Sequence, residues 1–252
     1  MHAVSVVRRQ ALGALSWPQV SGKGVLAVPL GATEQHGPHL PLCTDTDIAV
    51  ALCERLAAAR ADVLVAPALP YGSSGEHAGF PGTLSIGQRA LELLLVELGR
   101  SASETFAHII FVSGHGGNAE PAARAMARLR AESRDVLLFL PAWDGDPHAG
   151  RPETSMMLQL ARHLVRMSRA EPGDARPLAL TWPVLRSAGV RAVSGNGILG
   201  DPAGASAAEG AALLGKLSAD LIRAVAAWHP GEQTPSELSP GEISPGEISG
   251  VT

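Results

Sequence analysis

The chain has 252 residues and a mass of 26.0 kDa, which is enough for one large α/β domain or two small ones. Apolar residues make up 46% and charged residues 17%, so a substantial core can form and disorder of the whole chain is excluded. A net charge of -4, a pI near 6.1 and 4% aromatic residues exclude the basic or base-stacking surface of a general nucleic-acid binder.

Cysteine content and hydropathy indicate the compartment. The two cysteines cannot form a disulfide framework, which is typical of a reducing environment. No apolar run reaches membrane-spanning length, and the apolar stretch at 10–15 is short for a signal peptide. The sequence therefore predicts a cytoplasmic protein with no membrane partner.

The predicted elements alternate along the chain between short apolar strands and longer helices rich in alanine and leucine. Strands are predicted at 24–30, 62–68, 108–112 and 136–140, and helices at 48–60, 85–107, 118–132, 153–167 and 205–228. Thr44 is the predicted N-cap of the first helix, because Asp47 follows three residues later. Continuous apolar strands separated by helices indicate a three-layer α/β sandwich with a mostly parallel central sheet.

The composition is uniform up to residue 230, and we expect residues 1–230 to form a single domain. Beyond it, the segment Ser-Pro-Gly-Glu-Ile at 239–243 is repeated directly at 244–248. Proline, glycine and serine with few apolar side chains bury too little surface to offset the chain entropy lost on ordering. Residues 231–252 are therefore predicted to be a flexible tail that the chemistry does not need.

Polar side chains gather in the four segments that follow the predicted strands, where ligands bind in open parallel sheets. Five of the nine histidines lie in these segments: His36, His39, His77, His115 and His148. The other four are predicted to be structural or solvated: His2, His108, His163 and His229. Four strand ends that carry His, Asp and Glu predict a functional site at one edge of the sheet.

The first of these segments carries Glu34, His36 and Asp45. Glu34 and His36 are two residues apart, so an extended backbone would project both to the same side. Asp45 lies at the mouth of the following helix, where it also favours the helix dipole. Carboxylates with imidazole suit zinc, iron or manganese, and a bridging carboxylate favours a two-metal site. The alternative is that all three are ordinary loop and cap residues.

His115 lies between glycines directly after the third strand, where the backbone can pass close to a ligand. The segment 114–119 (Gly-x-Gly-x-x-Ala) also matches the dinucleotide-binding fingerprint, so a nucleotide-binding protein is the alternative from a different class. The ribose-binding acid is poorly placed for that alternative, because Asp135 precedes the next strand and Asp144 is rather distant. A nucleotide-binding function would also leave the acidic motif after the first strand without a role.

The remaining polar residues each have a simple structural interpretation. Glu153 begins a predicted helix and would stabilise its dipole. His148 and the pair at 76–77 could be solvated loop residues, but their joint placement at one sheet edge argues for a shared site. A nucleophilic enzyme has less support, because Cys43 has no assigned base, Cys53 is predicted to be core, and no Gly-x-Ser-x-Gly elbow occurs.

Four motifs in this order resemble the creatininase family of metal-dependent amidohydrolases: Glu-Gln-His-Gly-Pro-His-Leu-Pro at 34–41, Thr-Asp at 44–45, Gly-His-Gly-Gly-Asn at 114–118 and His-Ala-Gly-x-x-Glu-Thr-Ser at 148–155. The similarity runs from the first strand to the final helix and leaves out the repeat tail. The resemblance implies a creatininase-like α/β fold and a centre of two divalent metal ions, zinc or iron, with manganese as a further candidate. It also implies a homo-oligomer, usually a hexamer.

The resemblance, taken residue by residue, implies four metal ligands, of which the aspartate bridges the two ions: Glu34, His36, Asp45 and His115. One position departs from the family pattern. Creatinine-hydrolysing members carry an acidic ligand two residues after the motif histidine, and this chain has Gly117 there. Glu153 is then the expected ligand that completes the shell of the second metal, and the departure argues against creatinine as the substrate.

Two further stretches, at 71–77 and 199–202, are most similar to a branch of the family that matures peptides. That branch removes a C-terminal Val-Tyr dipeptide from a modified precursor peptide, which is the reaction and the partner expected here. A creatininase-type hydrolase of another small or cyclic amide is the alternative within the class. The expected catalytic residues are His148, as proton donor or orienting group, and Glu153. The residues expected to line the substrate pocket are Ser74, Glu76, His77, Trp143 and Asp144.

Overall fold

Four parallel strands form the central sheet of the computed structural model, which describes residues 10–20, 22 and 24–230. The strands are β1 (Val25–Leu30), β2 (Val63–Val65), β3 (His108–Ser113) and β4 (Val136–Phe139). Their order is β2-β1-β3-β4, and each neighbouring pair is parallel. The four predicted strands and the predicted parallel sheet are confirmed. His2 and the tail predicted at 231–252 lie outside the described residues, and the single domain over 1–230 stays a prediction.

Helices connect and cover the strands. They are α1 (Thr44–Ala59), α2 (Gln88–Ala102), α3 (Ala119–Ala131), α4 (Arg151–Leu160), α5 (Leu178–Ala188), α6 (Val190–Val193) and α7 (Ala207–Trp228). Side chains of α1, α4 and α7 pack on one face of the sheet, and those of α2 and α3 pack on the other. Across the described part of the chain, no helix combines the length and the apolar character that crossing a bilayer requires.

β1 is buried on both sides, because its alternate side chains belong to two separate cores. Val25 and Ala27 lie in the core shared with α1, α4 and α7, whereas Leu26 and Val28 lie in the core shared with α2 and α3. Full burial of one aliphatic side chain of this size contributes about 1.5–3 kcal/mol, so the two cores hold the sheet firmly between its helix layers. The predicted three-layer sandwich is confirmed.

The first helix begins earlier than the sequence predicts. Thr44 is the first residue of α1 rather than its N-cap, and its hydroxyl donates to the carbonyl oxygen of Pro41 at 2.8 Å. Cys43 takes the N-cap position without a side-chain cap hydrogen bond. The earlier start places Asp45 inside the first helical turn, so a rigid element fixes its position.

Proline explains two further differences from the predicted helices. The helix predicted at 153–167 begins two residues earlier, because Pro152 suits the first turn of a helix. It ends at Leu160, since Ala161 leaves the helical conformation with φ -145° and ψ 54°. Helix α5 is absent from the predicted elements because Pro183, which lies inside it, removes a backbone donor and is typical of a break.

The strand order reverses next to β1. Along the chain, β1 is followed by β2 on one side and then by β3 on the other side. Leu30 at the end of β1 pairs with Ser113 at the end of β3, so the loops that leave both strands start side by side. Ligands of open α/β sheets bind in the crevice at such a point, and these loops carry most of the candidate metal ligands.

Candidate metal centre

Four segments of the chain bring the five predicted metal ligands to the carboxyl edge of the sheet. The loop after β1 provides Glu34 and His36, and the first turn of α1 provides Asp45. The turn after β3 provides His115, and the first turn of α4 provides Glu153. All five are buried, with exposed fractions between 0% and 6%. The fold therefore gathers residues that are up to about half the chain apart in sequence.

Overlapping groups of buried side chains at this edge are close enough to hold cations. In each group, one ligand atom from every residue lies within 4.8 Å of the others. The groups are Glu34–Asp45–His115, His36–His148–Glu153 and Glu34–His77–His148. The third group adds His77, which the sequence predicts only as a substrate contact.

Asp45 belongs to the first group and also contacts the second. Its Oδ1 is 3.1 Å from Nε2 of His36, and its Oδ2 is 3.5 Å from Nδ1 of His115. Nε2 of His36 is also 3.8 Å from Oε2 of Glu153. A carboxylate that faces two ligand groups with its two oxygens has the placement that a bridging ligand needs.

Three carboxylate oxygens at the centre of the site have no hydrogen-bond donor among the described residues: both oxygens of Glu34 and Oδ2 of Asp45. Ring nitrogens of His77 and His115 lie 3.2 Å from the Glu34 oxygens, but without hydrogen-bond geometry. Burying carboxylate oxygens without donors is strongly unfavourable, whereas a divalent cation satisfies several of them at once. The residues of this site therefore fit divalent metal ions.

Ion pairing between imidazoles and carboxylates dominates the electrostatics. Burial would raise the pKa of Glu34, but the charge of His115 holds it well below its usual range. Burial would lower the pKa of His36, but Asp45 and then Glu153 raise it to about 10. The pKa of His115 is likewise raised well above its usual value, because Glu34 outweighs burial. Protons on these imidazoles thus supply positive charge that metal binding would replace.

Burial shifts the pKa values of two further groups. Burial, followed by the charge of His36, lowers the pKa of His148 well below its usual range, so this imidazole is neutral. Burial raises the pKa of Glu153 to about 7, against the opposing effect of His36. Oε2 of Glu153 is held in place by the backbone N–H of Ala149, which donates to it at 2.6 Å. Perturbed pKa values of this kind cluster at active sites.

The turn after β2 brings three of the predicted substrate contacts to the same edge. Ser74 and His77 are buried, and the His77 ring lies 4.5 Å from that of His148, measured between centroids. Oε1 of Glu76 is 3.4 Å from Nε2 of His115. The proposed solvated-loop interpretation therefore fails for His77 and His148, both of which are buried.

The other two predicted substrate contacts lie in the loop after β4. Trp143 packs against the core shared with α1, α4 and α7, and its indole N–H donates to the carbonyl oxygen of Asp146 at 3.3 Å. Asp144 is exposed. The role of all five residues in substrate binding stays a prediction.

Gln35 is a buried site residue that the sequence reasoning passed over. Its amide Nε2 lies 2.8 Å from Nδ1 of His77 and donates to the carbonyl oxygen of Gly197 at 3.0 Å. Its backbone carbonyl oxygen lies 2.9 Å from Nε2 of His148. The Gln35 amide Nε2, which donates, also lies 3.0 Å from this nitrogen, so Gln35 faces Nε2 of His148 with both an acceptor and a donor. Alternation along an extended backbone puts Gln35 on the side opposite Glu34, which is why the pattern hides it.

Asn118 ties together three strand-end loops. Its Oδ1 accepts from the backbone N–H of Ser73 at 2.9 Å, and its Nδ2 donates to the carbonyl oxygen of Gly31 at 3.0 Å. The signal for it was present in the sequence, since Asn118 closes the Gly-His-Gly-Gly-Asn motif. These hydrogen bonds fix the loops relative to one another.

The geometry disfavours the two alternative chemistries. A Cβ at Gly114 would collide with the backbone carbonyl of Asp45, so this glycine serves contact with α1 rather than a phosphate cradle. The side chains around the segment 114–119 include carboxylates that would repel a phosphate. Burial raises the pKa of Cys43 to about 11, so its thiol is protonated and a poor nucleophile. Cys53 is buried in the core, as predicted.

Sequence relatives match this chain over most of its length. The family model described as creatininase, creatinine amidohydrolase, matches residues 13–225. The mycofactocin precursor peptide peptidase of Mycolicibacterium smegmatis is 50% identical over 214 residues, covering 82% of this chain and 86% of that protein. The peptidase of the same name from Mycobacterium tuberculosis is 47% identical over 220 residues, covering 81% and 86%. The creatinine amidohydrolase of Pseudomonas putida is 31% identical over 194 residues, covering 63% and 74%.

Solved structures show the same fold. A crystal structure of creatinine amidohydrolase (creatininase) has a TM-score of 0.78 at 24% identity, covering 88% of this chain and 98% of that one. A mutant creatininase of Zn-Zn type has a TM-score of 0.77 at 25% identity, covering 87% and 98%. The family thus includes proteins that bind divalent metals. The chain belongs to the creatininase family, whose members are hydrolases of C–N bonds.

Proposed function

We propose that this protein is a peptidase with two divalent metal ions that releases a C-terminal Val-Tyr dipeptide from a modified precursor peptide, the mycofactocin precursor. The observation that carries the proposal is the buried Asp45 carboxylate, which faces His36 with one oxygen and His115 with the other. Relatives that are 47% to 50% identical over most of the chain bear the name of that peptidase. Both facts support metal-assisted hydrolysis of a peptide bond.

The donor set divides into two overlapping halves. Glu34, Asp45 and His115 would hold one ion. His36 and Glu153 would hold the other, together with Asp45, whose Oδ1 lies 3.1 Å from Nε2 of His36. Zinc or iron is the proposed metal, and manganese also suits carboxylate and imidazole ligands. When bound, divalent ions polarise a scissile carbonyl and lower the pKa of water towards neutrality.

His148 is the proposed proton carrier. Cleavage of a peptide bond requires a proton for the amine that leaves. His148 is neutral, Gln35 contacts its Nε2 through its backbone carbonyl and its side-chain amide, and its Nδ1 lies 3.9 Å from Oε1 of Glu34. The imidazole would accept the proton that the attacking water gives up and pass it to the amine of the departing dipeptide.

Creatinine is disfavoured as the substrate. The acidic side chain expected two residues after the motif histidine in creatinine-hydrolysing members is absent at Gly117. The creatinine amidohydrolase of Pseudomonas putida is also less similar than the mycobacterial peptidases, at 31% identity. Hydrolysis of another small amide is the competing outcome that the assay below distinguishes.

The proposal extends to assembly, location and domain organisation. We expect a cytoplasmic homo-oligomer, a hexamer by family resemblance, rather than a 26.0 kDa monomer. Exposed apolar side chains on α5 support self-association, because Leu180 is 70% and Trp182 is 53% exposed. A chain truncated after residue 230 should keep its activity if the tail is dispensable.

The decisive assay uses the zinc- or iron-loaded protein with the modified precursor peptide. Mass spectrometry should detect the released Val-Tyr dipeptide together with a precursor shortened by two residues. Creatinine, offered in parallel, should remain intact. Turnover of a small amide without any release of dipeptide would contradict the proposed substrate.

A further inference from the structure

Gly117 lies in a place where the site has no room for a side chain. A Cβ built there would collide with Oε1 of Glu76, with Nε2 of His115 and with the backbone oxygen of Ser73. The φ angle of Gly117 is outside the left-handed region, so its backbone conformation does not itself require glycine. A side chain is therefore excluded at this position by lack of space, because neighbouring atoms that include the Glu76 carboxylate already fill it.

Glu76 reaches this place from a different loop. It lies in the short turn Gly75–His77 after β2, and its side chain is 33% exposed although its carboxylate oxygen points at His115. The turn is fixed from two sides. Ser85 accepts from the backbone N–H of Ser74 at 2.9 Å, and the backbone of Gly189, ahead of α6, packs so closely that a Cβ there would meet the Glu76 carbonyl.

The Glu76 carboxylate faces one particular nitrogen of His115. Nε2 of His115 lies 3.0 Å from the carbonyl oxygen of Ser73, which can only accept, so this nitrogen carries a proton. Oε1 of Glu76 lies 3.4 Å from the same nitrogen, and Oε2 of Glu34 lies 3.2 Å from it without hydrogen-bond geometry. The other nitrogen, Nδ1, points towards Asp45 at 3.5 Å and is the one available to a metal ion. A metal-binding histidine commonly has its second ring nitrogen held by a carboxylate or a carbonyl group.

We propose that Glu76 is a positioning residue for His115, and that the absence of a side chain at Gly117 makes room for it. The negative charge of Glu76 and the Ser73 carbonyl together hold the Nε2 proton of the ring and leave its Nδ1 lone pair towards Asp45. The acidic group on this side of the site comes from the loop after β2 rather than from the motif around His115. This inference rests on the proposed metal centre, and it gives Glu76 a task other than the substrate contact predicted from the sequence.

The test compares Glu76→Gln with Glu120→Gln as a matched control. The control substitution also removes one carboxylate charge, but Glu120 is 65% exposed in the first turn of α3 and pairs with Arg124. Metal affinity is measured by competition with a chromophoric chelator for zinc, and the number of bound ions is counted separately. The thermal midpoint of the metal-free protein reports on folding. None of these readouts depends on which amide the enzyme cleaves.

Glu76→Gln should weaken zinc binding roughly tenfold to a hundredfold, the usual effect of losing an outer partner of a metal ligand, while the number of ions bound at saturation is unchanged. Glu120→Gln should bind zinc like the unmodified protein, and both metal-free variants should melt close to it. Equal zinc affinity of the two variants would overturn the proposal. Loss of one ion from Glu76→Gln even at saturating zinc would also overturn it, since Glu76 would then be a direct ligand.

If Glu76→Gln unfolds, Gly117→Ala serves as the second variant, because the added methyl group should displace the Glu76 carboxylate and crowd Nε2 of His115. It should reproduce the loss of zinc affinity, and unchanged affinity would overturn the proposal. Failure to release a dipeptide in the peptide assay, combined with weakened zinc binding in Glu76→Gln, would remove the proposed substrate and leave this inference standing.

Discussion

Two histidine clusters lie at opposite edges of the same sheet, and only one of them has the character of a metal centre. The carboxyl-edge cluster consists of Glu34, His36, Asp45, His115 and Glu153. The amino-edge cluster consists of His108, Asp135, Trp228 and His229. Both contain paired histidines and an aspartate, so residue type alone does not separate them.

The difference lies in what the carboxylate oxygens contact. At the amino edge, both oxygens of Asp135 accept hydrogen bonds at 2.7 Å, one from Nδ1 of His108 and one from the indole N–H of Trp228. Asp135 is also half exposed, at 48%. At the carboxyl edge, both oxygens of Glu34 are fully buried and have no donor among the described residues. Buried carboxylate oxygens without donors, rather than clustered histidines, therefore identify the site that fits a cation.

The largest expected effect separates the two clusters by activity. Asp45→Asn removes the carboxylate that faces both ligand groups, and turnover of the peptide substrate should fall by more than about a hundredfold, beyond the loss typical of outer partners. His108→Ala at the amino edge should leave turnover within about a factor of two, since the ring is satisfied by Asp135 and is remote from the reacting atoms. Circular dichroism of both variants checks that they are folded. Equal losses would break the comparison.

Metal removal should destabilise the protein through the carboxyl edge alone. At a metal concentration of about 100 times the dissociation constant, each binding event stabilises the folded state by about 2.7 kcal/mol. A chelator should therefore lower the free energy of unfolding by at least that amount, as measured by urea titration. The chelator should lower the free energy of unfolding of His108→Ala by the same amount. The chelator should have a much smaller effect on Asp45→Asn. An equal loss of unfolding free energy in that variant would contradict a metal centre at the carboxyl edge.

Metal affinity should increase with pH. In the metal-free site, the pKa of His36 is about 10, so this ring is protonated at neutral pH and must lose its proton when a metal binds. Below that pKa, a metal ion that displaces one proton binds about tenfold more tightly for each unit by which the pH rises. Calorimetric titrations with zinc in buffers of different ionisation enthalpy measure the protons released. Affinity that stays constant between pH 6 and 8, or that falls as pH rises, would contradict the ion pairing described for His36.

The smallest expected effect belongs to the amino edge. His108→Ala removes a partly exposed hydrogen bond to Asp135, which should lower the free energy of unfolding by about 0.5–1.5 kcal/mol. Urea unfolding of the metal-free protein measures it, and Asp135→Asn should give a change of similar size. A loss of bound metal in either variant would show that the two clusters are not independent.

The sequence predicts that the candidate metal ligands meet at one edge of the sheet, because their positions follow from topology. Carboxyl ends of parallel strands meet at one edge, so Glu34, His36 and His115 were expected together before any contact was known. The strands were also predictable, since buried parallel strands are continuous apolar runs.

Other features depend on contacts between distant segments and therefore left no local signal. Gln35 contacts His148 through loop geometry that departs from a plain extended backbone. Trp143 follows a strand like the other site residues, yet its apolar ring packs into the core. Helix α5 forms despite Pro183, an example of tertiary context overriding local propensity.

Metal content measured by inductively coupled plasma mass spectrometry tests the central claim most directly. The unmodified protein, His108→Ala and Asp45→Asn would each be loaded with zinc or ferrous iron and then dialysed against metal-free buffer. The buried carboxylate geometry predicts about two ions per chain in the first two proteins and less than one in Asp45→Asn. An unmodified protein that retains no metal, or an Asp45→Asn variant that retains as much as the unmodified protein, would contradict a two-metal centre at the carboxyl edge.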